Sequence, residues 1–318
     1  MTTYRESLPQ LGSRIFLTDG GLETTLIFHQ GLDLPHFAAF DLMRSTDGRA
    51  TIGRYLTPYI RAAKTGGYGF ILDSCTWRAS PDWGDKLGYS REALAMANRE
   101  AIDLLVETRV AQSTLDFPMV VSGALGPRGD GYVASDLMTA ADAERYHDWQ
   151  IGVLADTPAD MVAAYTITNV PEAIGIARAA RRHGIPSVIS FTLETDGRLP
   201  AGDTLAEAIT RVDAATDAAP AYYMINCAHP DHFEPVLDDG GSWLQRLRGL
   251  RANASRRSHA ELNQAPDLDA GDPDELGRQY QDLISRFPHF TVLGGCCGTD
   301  DRHVACIGHA CRPAQAAA

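Results

Sequence analysis

Cys296 and Cys297 stand side by side in TVLGGCCGTD (291–300), directly behind Gly294 and Gly295, and a third cysteine, Cys227, follows the apolar run YYMIN (222–226). Adjacent cysteines seldom join each other in a disulfide, because closing that ring strains the peptide between them. Such a pair takes partners elsewhere in the chain or shares a metal. Three thiolates suit a tetrahedral Zn2+ that keeps one position open, whereas a fourth protein ligand would close the centre into a structural one. An anionic, sulfur-rich centre is a weak Lewis acid toward carbonyls but a good holder of one more thiolate. The chemistry that follows is alkyl transfer to sulfur, since the metal lowers the pKa of the incoming thiol while the sulfur shell keeps it nucleophilic. The bland alternative is a buried core cysteine at 227 and a small-residue packing feature at 294–298.

Sulfurs some seventy positions apart in sequence meet only if the fold brings them together. Short β-rich runs recur at 15–20, 70–75, 119–124, 161–167, 187–193, 222–226, 249–254 and 290–295, most of them separated by segments of helical period such as 91–112 and 171–184. This alternation predicts an α/β (β/α)8 TIM barrel, with a doubly wound sheet as the runner-up and GLRANA (249–254) as the weakest strand. In a barrel, chemistry belongs at the C-terminal ends of the strands, which places Cys227, Cys296 and Cys297 at one mouth. Cys75 also ends a strand, while Cys306 and Cys311 fall in the final helical segment. No linker or break in composition divides the chain, so residues 1–318 read as a single domain with a frayed tail at 313–318.

The chain has 318 residues, 44% of them hydrophobic, and a net charge of -13. That acidity speaks against a protein that coats nucleic acid, and Arg251, Arg256 and Arg257 form its one notable basic cluster. The start MTTYRESLPQ lacks a secretory pattern, and no uncharged apolar run approaches the ~18 residues of a membrane span. A cytoplasmic protein is expected, in which six cysteines point to metal binding or catalysis before a disulfide framework, and the sequon at Asn253 is a coincidence.

INC (225–227), GGCCGT (294–299) and TDGGLET (18–24) together resemble the homocysteine S-methyltransferase family, as do GALGPRGDGY (123–132) and SFTLETDGRLPAGDTLAEAI (190–209). The resemblance spans nearly the whole chain in the right order. It implies a zinc-dependent methyltransferase in which Cys227, Cys296 and Cys297 hold Zn2+, a thiol such as homocysteine takes the open position, and a methyl group leaves a small cationic sulfonium or quaternary ammonium donor. It also implies that Asp19, with the Gly20–Gly21 backbone, contacts and orients the substrate, and that Asn226 stands beside the first ligand.

The match is incomplete at the end of the fourth strand. Where many relatives carry a Glu that receives the substrate amine, alignment on Asn169 and Glu172 puts Tyr165. The second strand ends in Thr76-Trp77-Arg78 in place of the family's Tyr-Gln pair. Either Glu23 or Glu194 receives the amine, or the acceptor is a thiol other than homocysteine. Candidate substrate contacts are therefore Asp19, Gly20, Gly21, Glu23, Thr76, Trp77, Tyr165, Glu194 and Asn226.

Trp77, Trp83, Tyr132 and Trp149 could cradle a cationic donor or simply pack the loops. Arg78 and Arg128 could grip a carboxylate. His229 and His232 read as helix-start residues before they read as ligands. DLDAGDPDEL lacks EF-hand spacing, and GGLETT and GPRGDG lack the endings of phosphate loops. The rival functions are a hydrolase or lyase using zinc-bound water and a non-catalytic zinc or thiol sensor. Small-molecule partners are expected, with an oligomer possible.

Overall fold

A computed structural model describes residues 3–135, 137–238 and 240–312, so the tail at 313–318 lies outside the described residues. Eight parallel strands close in sequence order: β1 (Phe16–Leu17), β2 (Gly69–Asp73), β3 (Met119–Leu125), β4 (Met161–Ile167), β5 (Ser187–Thr192), β6 (Tyr222–Asn226), β7 (Leu247–Ala252) and β8 (Val292–Gly295). The barrel is the expected (β/α)8 architecture. Most of its strands read as largely apolar runs because both faces are covered, the charged β7 being the exception. Successive residues alternate sides: Phe16, Ile71, Val120, Met161, Val188, Tyr222 and Val292 pack together inside, while Leu17, Phe70, Leu72 and Val121 pack toward the helices.

The outer layer holds α1 (Thr46–Gly66), α2 (Arg91–Gln112), α3 (Ala140–Ala155), α4 (Val170–Arg182), α5 (Leu205–Thr216), α6 (Pro230–Asp238), α7 (Pro273–Arg286) and α8 (Asp301–Ala310). The caps explain their boundaries. Ser90, Asn169 and Thr204 each accept a hydrogen bond from a backbone N–H in the first turn of α2, α4 and α5, and Gly184 takes a left-handed φ of 64° just past α4.

One end of the barrel is plugged. Gln10 is fully buried and donates to Met161 Sδ at 3.2 Å, while buried Asp160 accepts from the Thr3 and Tyr4 amides and from Arg109. The opposite, C-terminal end of the strands stays open. The weakest predicted strand, 249–254, is real but begins two residues earlier, at Leu247, and its charge is the informative part. Arg251 is buried near its end.

Candidate active site at the barrel mouth

The three sulfurs of Cys227, Cys296 and Cys297 lie within 4.8 Å of one another, and among the described residues they are the group that could hold a metal ion. Backbone pairing through β7 sets them there: Cys227 N donates to Arg251 O at 3.2 Å, and Cys296 N to Ala252 O at 2.8 Å. The glycines ahead of the pair are required by close approach, since a methyl group on Gly294 would overlap Thr18 Oγ1 and one on Gly295 would overlap Thr299 Oγ1.

Cys227 and Cys296 are joined in a disulfide, with Cα atoms 5.4 Å apart, and Cys297 is free. Both partnerships expected of the cysteine pair therefore fall on the same sulfurs: a partner elsewhere in the chain, and a shared cluster. The donor set fits a metal once reduced. Metal–sulfur bonds of about 2.3 Å in a tetrahedron put sulfurs about 3.8 Å apart, and Cys227 Sγ stands 3.9 Å from Cys297 Sγ.

Asn226 braces this geometry. Its Oδ1 accepts from Thr166 N (2.9 Å) and Ser190 Oγ (2.7 Å), and its Nδ2 donates to Thr166 Oγ1 (3.0 Å) and to Cys296 Sγ (3.7 Å). Thr166 and Cys227 both adopt left-handed backbone, with φ of 63° and 53°. For residues with a Cβ this costs on the order of 1 kcal/mol or more apiece. The Asn226 side chain holds Thr166 against that cost.

Beside the sulfurs lies a buried charge network that sequence reasoning did not assemble. Arg251 donates from Nη2 to Asp19 Oδ1 and from Nη1 to Asp73 Oδ2, both at 2.6 Å, and from Nε to Gly295 O at 3.0 Å. Tyr165 donates to Asp73 Oδ2 at 2.8 Å, and Tyr55 of α1 donates to Asp19 Oδ2 at 3.0 Å. Burial alone would lower the Arg251 pKa, but Asp19, Tyr165 and Asp73 outweigh it and hold the guanidinium charged. Burial pushes the Asp73 carboxyl up, with Arg251 opposing. A charge close to the C-terminal end of a strand was the available signal for both, Asp73 in the otherwise apolar GFILD of β2 and Arg251 as the second arginine of LRGLRA in β7.

Of these, Asp19, Asp73, Tyr165 and Arg251 line a cavity of about 430 Å³. Of the sequence candidates, Asp19, Gly20, Gly21, Glu23, Trp77, Tyr165 and Asn226 face it together with the three cysteines. Two others do not. Thr76 is fully buried and spends its hydroxyl on Ala124 O at 2.7 Å, facing the barrel wall. Glu194 stands behind the cavity, its carboxylate 3.1 Å from His259 Nδ1, while His259 Nε2 meets Cys227 O at 2.6 Å. His229 and His232 stay out of the sulfur cluster: the His229 ring accepts from Asp231 N, and His232 meets Arg256 O.

Part of the remaining wall is aromatic. Tyr132 stacks on His259 with centroids 4.0 Å apart and donates to Cys297 Sγ at 3.2 Å. Trp77 donates to Tyr165 O at 3.2 Å, and Phe28 and Phe37 stand partly exposed on the cavity wall. Trp83 reaches the site only indirectly, through Arg78, whose guanidinium lies 3.9 Å and 4.0 Å from the Trp77 and Trp83 ring centroids. Trp149 packs away from the cavity, beside Phe40 and Leu94.

Residues 16–311 match the family model described as homocysteine S-methyltransferase. The chain is 25% identical to homocysteine S-methyltransferase 4 of Zea mays, over 94% of this chain and 90% of that protein. It is 24% identical to selenocysteine Se-methyltransferase of Brassica oleracea var. italica, over 96% and 91%. The crystal structure of the oxidised form of the homocysteine methyltransferase MmuM from Escherichia coli superposes with a TM-score of 0.73 at 19% identity, covering 96% of this chain and 99% of that one.

Proposed function

Because the chain belongs to the homocysteine S-methyltransferase family and is a methyltransferase, we propose that it is a zinc-dependent thiol S-methyltransferase, moving a methyl group from a small cationic donor to homocysteine or a related thiol. The observation that carries this reading is the convergence of Cys227, Cys296 and Cys297 on one cavity lined by aromatic rings and buried acids. In their reduced form these cysteines would hold the zinc, which when bound supplies a position where a thiol loses its proton at neutral pH.

The protein's own contribution is placement. Asp19 is locked by Arg251 and Tyr55, and with the Gly20–Gly21 backbone and Asn226 it shapes the acceptor's end of the cavity. Trp77, Tyr132, Phe28 and Phe37 offer ring faces to a sulfonium or quaternary ammonium. Holding the sulfur and the methyl carbon in one cavity converts a bimolecular encounter into a local one. As the new sulfur–carbon bond forms, the bond from that carbon to the donor heteroatom breaks. The donor leaves as a neutral molecule with that electron pair, and the thiol proton goes to solvent.

Tyr165 favours a second reading, in which the acceptor is a thiol other than homocysteine. Its hydroxyl is committed to Asp73, and a phenol does not supply the charge that pairs an ammonium. A cytosolic location belongs to either reading, since the cysteines must stay reduced, as does treatment of the chain as one domain.

The test is zinc content by elemental mass spectrometry on reduced wild type, Cys227→Ser, Cys296→Ser and Cys297→Ser, followed by isotopic tracing of methyl transfer from cationic donors to a panel of thiols. About one zinc per chain, lost in each variant, with label appearing on a thiol, is the expected result. Metal content indifferent to all three cysteines would overturn the metal centre. Zinc binding with no transfer from any donor to any thiol would leave a sensor.

A further inference from the structure

Two side chains of opposite charge on the cavity wall, Glu23 and Arg78, make no close ion pair among the described residues, although Asp130 and Glu23 both favour the Arg78 charge. Glu23 sits on its wall, its carboxyl meeting its own backbone N–H, with no hydrogen bond or ion pair to another residue among the described residues. The other acids that line it are spent or peripheral. Asp19 and Asp73 are tied to Arg251. Asp130 accepts from the Tyr132 and Val133 amides, Asp269 accepts from Ser255 and Gly271, and Asp267 is exposed at the rim. Arg78 is the counterpart. It is only 6% exposed, it is clamped between two tryptophan faces, and both of its hydrogen bonds leave from Nη1, to Gly129 O (2.9 Å) and Pro127 O (3.4 Å). Its Nε is buried with no partner.

A buried guanidinium with an idle N–H is costly unless a ligand meets it. Glu23 is half-buried, and a carboxylate partly withdrawn from water without a partner is penalised in the same sense, though less. Resting on the reading of this cavity as a thiol acceptor site, we propose that Glu23 and Arg78 together bind the zwitterionic end of an α-amino-acid thiol, Glu23 taking the ammonium and Arg78 the carboxylate. Both residues belong to the mouth that holds the sulfurs, so such a ligand would present its thiol to Cys227, Cys296 and Cys297. The clamp accounts for Tyr165 at a position where no acid remains free: the ammonium partner has moved from the end of β4 to the turn after β1. Burial lifts the Glu23 carboxyl to about 7, and an arriving ammonium would draw it back to the charged form.

The experiment is equilibrium thiol binding to reduced, cobalt(II)-loaded protein, read from the visible absorption of the metal. Three probes are compared: L-homocysteine, 4-sulfanylbutanoate, which lacks the amine, and 3-aminopropane-1-thiol, which lacks the carboxylate. Wild type is expected to bind homocysteine about 10- to 100-fold more tightly than either truncated thiol, the range for a charge-assisted hydrogen bond. Glu23→Gln should erase the advantage conferred by the amine alone, and Arg78→Met that conferred by the carboxylate alone, with Arg78→Lys recovering part of the latter. Equal affinity of wild type for all three thiols overturns the clamp while leaving thiol binding intact, and needs no variant to fold. A uniform loss of all three thiols in both variants also overturns it, as a structural effect. If wild type binds no thiol, the acceptor-site reading itself fails and the clamp falls with it.

Discussion

Arg251, near the end of β7, reaches across the barrel mouth to Asp19 beyond β1, Nη2 to Oδ1 at 2.6 Å, while its Nη1 meets Asp73, the last residue of β2, at the same distance. One guanidinium thus ties three strand ends together with little access to water. Removing it strands two buried carboxylates. Arg251→Met should destabilise the fold by about 3–5 kcal/mol, the cost of breaking a buried pair from one side, and Arg251→Lys should recover only part, because an ammonium lacks the planar fork. Urea unfolding measures both; a loss of under about 1 kcal/mol for the Met variant would mean that water takes over the two acids.

Glu23 gives a pH signature of opposite sign to an ordinary salt-bridged acid. Its folded pKa of about 7 lies above the unfolded value of about 4.3. Between those values the native state binds the proton more tightly than the unfolded chain, so stability falls as pH rises through the window. Glu23→Gln cannot titrate. Its stability relative to wild type should grow from pH 4 to a plateau above pH 7, and unfolding curves at pH 4.5, 6 and 8 that differ by a constant amount would refute this.

The disulfide takes two of the three sulfurs that could hold a metal ion. Protein prepared without reductant should show four reactive thiols on denaturation, those of Cys75, Cys297, Cys306 and Cys311. Reduction should raise the count to all six cysteines. Zinc uptake should appear only in the reduced form. Full uptake by the four-thiol form would separate the metal from Cys227 and Cys296.

Tyr132 reaches Cys297 with its hydroxyl while its ring stays stacked on His259. Tyr132→Phe removes one and keeps the other. By the usual effect of losing a hydrogen bond to a metal ligand, metal affinity should drop about 10- to 100-fold, with fold stability changed by no more than about 1.5 kcal/mol. Competition with a chelator reads the first and urea unfolding the second. Unchanged metal retention would make Tyr132 a wall residue only.

The barrel was legible because its signal is local and repeated: most strands are short apolar runs covered on both faces, and most of the helices between them carry their own cap, as Ser90 and Asn169 do. The convergence of the cysteines was legible through the same regularity, since residues that end β6 and β8 must share a mouth. Thr76 and Glu194 were misplaced for a local reason as well. Nearness to a strand end says nothing about which way a side chain turns, and here one hydroxyl closes on Ala124 O and one carboxylate on His259.

By itself, then, the order of residues determined the architecture, the end of the barrel where chemistry gathers, and three sulfurs able to share a metal. Only the tertiary structure decided how the charges are apportioned. That Asp19 and Asp73 are consumed by Arg251, and that Glu23 and Arg78 are left with capacity to spare, depends on contacts between residues up to 232 positions apart. Electrostatic pairing acts over a few ångströms of folded space, and no spacing along the chain encodes which neighbours will be within that reach.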